Sequence, residues 1–205
     1  MIVIIDYGMG NCGSMQNMIK KSGYKAIISG KQEDIELATT LILPGVGAFD
    51  NAMKKLTESG LIDIIQKKVL IDKVRFLGVC LGMQLLFSHS EEGNHSGLGW
   101  LEGSVERFSF SSPEYLSLKI PHMGWNEITS PNSSFIFAQM EQPRFYFVHS
   151  FHVNCPKEYV IGEAIYGYNF VCAVNKENIF GAQFHPEKSH KFGLQFFKNF
   201  LGETC

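Results

Sequence analysis

The segment Phe76-Leu77-Gly78-Val79-Cys80-Leu81-Gly82 restricts the fold more than any other stretch of this chain. An apolar run meets a cysteine with a glycine two positions away on either side. A G-x-nucleophile-x-G pattern of this kind suits a strand that turns sharply into a helix. The central backbone is strained there, and neighbouring chain passes close on both sides. The helix expected over 81–87 would place the Cys80 thiol at its N-terminus, where free N–H groups and the helix dipole favour thiolate over thiol. The plainer alternative is a buried thiol that happens to lie between glycines.

The first half of the chain supports a sheet around that turn. Strand-like stretches at 2–5, 25–29, 41–43 and 75–79 alternate with helix-like stretches at 14–21, 48–56 and 61–70. The run Ile2-Val3-Ile4-Ile5 is apolar throughout, as a strand covered on both faces should be. Alternation of this kind predicts an α/β fold, a flavodoxin-like open and mostly parallel sheet with helices on both faces. The second half changes character. Short segments at 100–110, 126–129, 145–148, 160–164, 170–174 and 179–184 are rich in Val, Ile, Phe and Tyr, and read as added antiparallel strands. A final amphipathic helix over 191–201 carries its aromatic residues as core packing. With no repeat or long linker, residues 1–205 are expected to form one domain.

Composition removes several function classes. The 205 residues are 45% hydrophobic and 19% charged, with a formal net charge of −2 and no dense Lys/Arg block. That leaves no electrostatic footprint for nucleic acid or an anionic membrane. The apolar start ends at Asp6, too soon for a signal peptide or a spanning helix, so a cytoplasmic protein is expected. The five cysteines, Cys12, Cys80, Cys155, Cys172 and Cys205, include no C-x-x-C pair, which argues against a disulfide framework or structural zinc. The remaining histidines are isolated in sequence, and no metal or cofactor is indicated.

Two further segments fit the cysteine. Phe184-His185-Pro186-Glu187 follows a strand-like run; in extended backbone His185 and Glu187 would point to the same side, and the carboxylate could orient the imidazole as a triad's third member does. Leu43-Pro44-Gly45-Val46-Gly47-Ala48 is another strand end whose backbone N–H groups could face a developing oxyanion. A competing signal is Gly8-Met9-Gly10-Asn11-Cys12-Gly13, which matches a G-x-G-x-x-G dinucleotide fingerprint, with Glu33 about 20 residues beyond Gly13. It would make the chain a NAD-binding protein and leaves Cys80, His185 and Glu187 without a role.

With these motifs assembled, the chain resembles the class I glutamine amidotransferases, through Val79-Cys80-Leu81-Gly82-Met83-Gln84 and Phe184-His185-Pro186-Glu187. The resemblance narrows to the glutaminase subunits of imidazole glycerol phosphate synthase. It rests there on Asp6-Tyr7-Gly8-Met9-Gly10-Asn11, Pro44-Gly45-Val46-Gly47-Ala48-Phe49, Pro121-His122-Met123-Gly124-Trp125-Asn126, Tyr146-Phe147-Val148-His149-Ser150 and His185-Pro186-Glu187-Lys188-Ser189. The resemblance implies Cys80 as nucleophile, His185 as general base and acid, and Glu187 as its orienting partner. It implies an oxyanion strand at Gly45, Val46 and Gly47, with the Val46 N–H as donor after a peptide flip and the Leu81 N–H as a second. Gln84 and the backbone near His149 and Ser150 would hold the α-amino and carboxylate groups of L-glutamine. Asn11, Met123, Trp125 and Lys188 match positions near the interface with a (βα)8-barrel cyclase subunit, which receives ammonia through a tunnel in a heterodimer.

The ammonia acceptor is a separate question. Asn11-Cys12-Gly13-Ser14 and Gly97-Leu98-Gly99-Trp100 lean toward a branch of the family associated with surface-sugar synthesis. Overall similarity favours the histidine pathway. Both branches hydrolyse glutamine in the same way, so the catalytic segments do not separate them.

Overall fold

The computed structural model describes residues 1–115, 117–130 and 134–202; Cys205 lies outside them. Strand β1 (Ile2–Ile5) leads into α1 (Cys12–Lys21), whose N-cap Asn11 accepts from the Ser14 N–H. There follow β2 (Ala26–Ser29), a short α2 (Gln32–Glu36), β3 (Thr40–Gly45), α3 (Phe49–Glu58), and α4 (Ile62–Gln66), which continues into a wider turn over Lys67–Ile71. Strand β4 (Arg75–Cys80) turns directly into α5 (Leu81–Gln84). The second half supplies β5 (Ser104–Arg107), β6 (His122–Glu127), β7 (Arg144–His149), β8 (Phe151–Asn154), β9 (Val160–Tyr166), β10 (Tyr168–Lys176), β11 (Ile179–Ala182) and α6 (His190–Gly202).

One nine-stranded sheet runs β2-β1-β3-β4-β11-β10-β8-β5, with β9 also paired to β10. The strands β2, β1, β3, β4 and β11 are mutually parallel. Their order is the doubly wound 2-1-3-4-5 pattern, in which ligand sites lie beyond the carboxyl ends of the strands. The pairs β10–β11, β10–β8, β10–β9 and β5–β8 are antiparallel, and β6–β7 forms a separate two-stranded sheet. Alternation along the strands sends Val3, Ile5, Leu41, Leu43 and Phe76 to a core under α2, α3 and α4. Ile4, Ile42, Leu77 and Val79 face a second core closed by α1 and by Phe196, Phe197 and Phe200 of α6.

Several elements differ from expectation. The helix expected over 81–87 stops at Gln84, so its dipole is that of a single turn. The strand expected over 100–110 is reduced to Ser104–Arg107, because the chain before it runs as a loop whose backbone N–H groups bond to Leu85 and Leu86 carbonyls. The strand expected at 126–129 lies earlier, at His122–Glu127. Strand β8 and helix α2 were not foreseen, being short and without a long apolar pattern.

Candidate active site

The turn after β4 is as tight as its glycines suggest. Cys80 has φ 54° and ψ −111°, backbone that costs a non-glycine residue about 1–3 kcal/mol. A Cβ on Gly82 would lie 2.0 Å from the Leu43 carbonyl oxygen, and one on Gly78 would lie 2.4 Å from that of Gly82. Glycine at both positions is therefore a packing requirement. Register then assembles the neighbours: Gly45 of β3 pairs with Cys80, and Ala182 of β11 pairs with Val79. One residue past the end of β11 comes Gln183, whose Nε2 approaches Cys80, and His185 follows two residues later.

His185 is held in place by its backbone. Its N–H donates to the Tyr146 carbonyl at 2.9 Å, and its carbonyl accepts from the Ser189 hydroxyl at 2.7 Å. The His185–Glu187 pair forms, with Nδ1 to Oε1 at 2.9 Å and both side chains buried, but not through the extended backbone expected. Pro186–Lys188 is a 3₁₀ turn; proline's fixed φ suits the first position of such a turn, which folds Glu187 back onto the imidazole. Nε2, the other ring nitrogen, is buried and has no hydrogen-bond partner among the described residues. Burial alone would depress the imidazole, yet interaction with Cys80 and then Glu187 outweighs it and pushes His185 up to about 10. This is the electrostatics of an imidazolium between a sulfur and a carboxylate.

A cavity of about 310 Å³ opens over Cys80. Val46, Gly47, Leu81, Gln84, His149 and Ser150 line it together with His185, so the expected oxyanion and substrate residues meet at one place. Gly45 lies against the elbow itself, where a Cβ would come 2.7 Å from the Gly82 nitrogen. The Leu81 N–H opens α5 and so has no intrahelical acceptor. The Tyr7 hydroxyl donates to the Pro44 carbonyl at 2.9 Å and anchors the strand end that precedes Val46.

Two residues in the site escaped the sequence reading. Glu92 lines the cavity; its Oε2 accepts from the Phe49 N–H at 3.0 Å, and burial, partly offset by that bond and reinforced by Asp50, raises it above the usual carboxylate range. It reaches the site because the Asn94 and His95 N–H groups bond to Asp50, closing the loop onto the start of α3. Gln183, fully buried, places Nε2 3.7 Å from Cys80 Sγ. Its available signal was its position two residues before His185, just past β11.

None of the residues expected at an interface lines this cavity. Met123 and Trp125 are exposed on β6 and pair with Val148 and Tyr146 of β7. Trp125 stacks on His190 at 5.5 Å, and Lys188 Nζ lies 5.7 Å from the Tyr146 ring. Asn11 caps α1, which packs on the Pro186–Lys188 turn.

The dinucleotide fingerprint does not operate. A Cβ on Gly10 would strike Pro44 at 2.7 Å, so that glycine admits the end of β3. A Cβ on Gly13 would have open space, so the third glycine performs no close helix–strand packing.

A model of the glutamine amidotransferase class-I family matches residues 3–203. The chain belongs to this family. It is 51% identical to imidazole glycerol phosphate synthase subunit HisH 2 of Methanococcus maripaludis, over the whole of both chains. Identity is 49% to subunit HisH 2 of Pseudomonas aeruginosa and 46% to subunit HisH of Leptospira interrogans, with 98% of each chain covered. The fold is shared with a solved glutamine amidotransferase (TM-score 0.74, 20% identity, 98% of this chain and 99% of that one). It is also shared with a chain of PurLQS from Thermotoga maritima (TM-score 0.75, 18% identity, 98% and 97% covered).

Proposed function

We propose that this class I glutamine amidotransferase is the glutamine-hydrolysing subunit of an imidazole glycerol phosphate synthase, delivering ammonia to a cyclase subunit in histidine biosynthesis. The observation that carries the chemistry is that Cys80 and His185 line one cavity, with Glu187 bonded to the His185 Nδ1. The pathway rests on full-length identity of 46–51% to the HisH subunits.

In the reaction, the proton of the Cys80–His185 pair resides on the His185 imidazolium, and the Cys80 thiolate attacks the side-chain amide carbon of glutamine. The carbonyl electron pair moves to oxygen, where the Leu81 N–H and a turned Val46 N–H receive it. Collapse breaks the C–N bond, His185 returns its proton to the departing nitrogen, and ammonia leaves a γ-glutamyl thioester. Water deprotonated by His185 adds to the thioester and releases glutamate and the thiol. Glu187 keeps Nδ1 as a donor and stabilises the charged ring throughout.

Substrate contacts follow from the lining. Gln84 Nε2 is committed to Phe151 and Gln183, which leaves Oε1 to accept from an ammonium group. Glu92 supplies a carboxylate for the same ammonium, and the backbone at His149 and Ser150 suits the α-carboxylate. The exposed Met123, Trp125 and Lys188 suit a docked partner subunit. The Gly45–Gly47 loop, set by that partner, would hold hydrolysis low until the cyclase is loaded.

Glutamate production by wild type and Cys80→Ala, with and without the barrel subunit, tests this reading. Activity that rises with the loaded partner and disappears in Cys80→Ala is expected; unchanged activity in the variant rejects the role of Cys80. Deleting the coding sequence should produce histidine auxotrophy. Prototrophy with an altered surface glycan would move the acceptor to the sugar branch.

A further inference from the structure

The buried polar groups behind the nucleophile determine which end of the Gln183 amide meets the sulfur. The Phe151 carbonyl can only accept; it takes His149 Nδ1–H at 2.7 Å and Gln84 Nε2–H at 3.2 Å. Gln84 Nε2 also donates to Gln183 Oε1 at 2.9 Å. With its oxygen engaged, Gln183 has only Nε2 to present on its other side, and Cys80 Sγ lies there at 3.7 Å. The same logic extends outward. Because His149 donates from Nδ1, its Nε2 accepts, and His122 Nδ1 donates to it at 2.9 Å. His122 Nε2 then accepts from Asn126 Nδ2 at 3.3 Å, and Asn126 also donates to the Ile165 carbonyl at 2.8 Å. Two backbone carbonyls, Phe151 and Ile165, thus fix the tautomers and amide orientations from β6 to the nucleophile.

We propose that Gln183 is a catalytic residue of this site: its fixed Nε2–H donates to the Cys80 sulfur and stabilises it as thiolate. The proposal rests on Cys80 being the nucleophile. His185 faces the sulfur as the group that takes and returns the proton. Gln183 adds a neutral dipole that carries no proton away and does not titrate. When the thiol proton passes to His185, the electron pair left on sulfur meets the Gln183 N–H. When sulfur bonds to the amide carbon that pair is shared, and the donor's grip weakens. In the second half-reaction the C–S bond breaks, its pair returns to sulfur, and the donor engages again. Gln183 therefore assists both formation of the nucleophile and departure of the thiolate from the thioester. A residue that only filled space would influence neither step in a pH-dependent way.

Alkylation of Cys80 by iodoacetamide, located by peptide mass spectrometry and followed from about pH 5 to about pH 10, tests this. Gln183→Met keeps the length of the side chain and removes the donor. Its profile should have a midpoint about one pH unit higher than wild type, with alkylation about tenfold slower below it. Coincident profiles overturn the proposal. Absence of label on Cys80 in wild-type protein that hydrolyses glutamine would overturn the nucleophile reading instead. Should Gln183→Met fail to fold, the Gln183 side-chain amide NMR signal of the wild type gives the readout. It should move over the same pH interval as alkylation and stay still in Cys80→Ala; a signal that is flat in wild type, or moves equally in both proteins, overturns the proposal.

Discussion

Gly193 offers a test in which local and tertiary reasoning predict opposite signs. It lies in the first turns of α6, where replacing glycine by alanine in an isolated helix would add about 0.5–1 kcal/mol of stability. In the fold, a Cβ there would lie 1.8 Å from the Pro186 carbonyl oxygen and 2.9 Å from its carbon, where ordinary contact begins near 3.4 Å. Helix or turn must move by about 1.5 Å, and the obstacle is backbone that cannot rotate aside. Overpacking of this kind costs about 1–3 kcal/mol, and the rigid neighbour places it in the upper part of that range. The net loss is about 1–2 kcal/mol. For a chain of this size, with ~2–4 °C per kcal/mol, the melting temperature of Gly193→Ala should fall by about 2–8 °C. The displaced residue, Pro186, joins His185 to Glu187, so hydrolysis should fall about 100-fold, as for an ångström of misplacement. Calorimetry and a glutamate assay read both effects. Gly13→Ala is the control, since nothing lies within 4 Å of its Cβ; it should keep full activity and lose no stability. A Gly193→Ala protein that melts higher than wild type, or hydrolyses glutamine normally, refutes the reasoning.

Two pH predictions follow from the buried imidazoles. His185 is pushed up to about 10 from an unfolded value of ~6.5, so the native state keeps a proton that the unfolded chain releases. Its contribution is complete below about pH 6.5 and is lost as pH rises to about 10; urea unfolding should show that decline, with a shallower slope in Glu187→Gln, and equal slopes reject it. His122 and His149 behave in the opposite sense. Burial lowers them to about 4 and about 3, so their contribution is present above about pH 6.5 and is lost as pH falls through those values. A double His122→Phe, His149→Phe variant should lose less stability than wild type between about pH 7 and about pH 4. An identical acid limb would show that neither ring is held neutral.

The sequence made some parts of the site legible because their causes are local. The Gly78–Gly82 spacing announced a tight strand–helix turn, and the structure supplies the reason in the carbonyls that crowd both glycines. His185 and Glu187 could be paired from their separation, although a 3₁₀ turn rather than extended backbone brings them together. The length of α5 was misjudged because apolar residues 85–87 look helical, while their real partners are in the loop that returns at 97–101. Strand β8 left too short a pattern to read, yet its Phe151 carbonyl orients both Gln84 and His149.

By itself the sequence determined the doubly wound sheet, the nucleophile's turn and the proximity of histidine to carboxylate, because periodicity, glycine spacing and near neighbours are properties of short stretches. Tertiary structure decided which residues share the cavity. Gln183 meets Cys80 through the parallel register of β11 on β4, and Glu92 arrives through a loop clamped to the start of α3. The directions of the buried hydrogen bonds depend on carbonyls contributed by distant strands, and burial holds His122 and His149 neutral. Strand register, loop closure and desolvation each require the whole chain to be folded before they have a value.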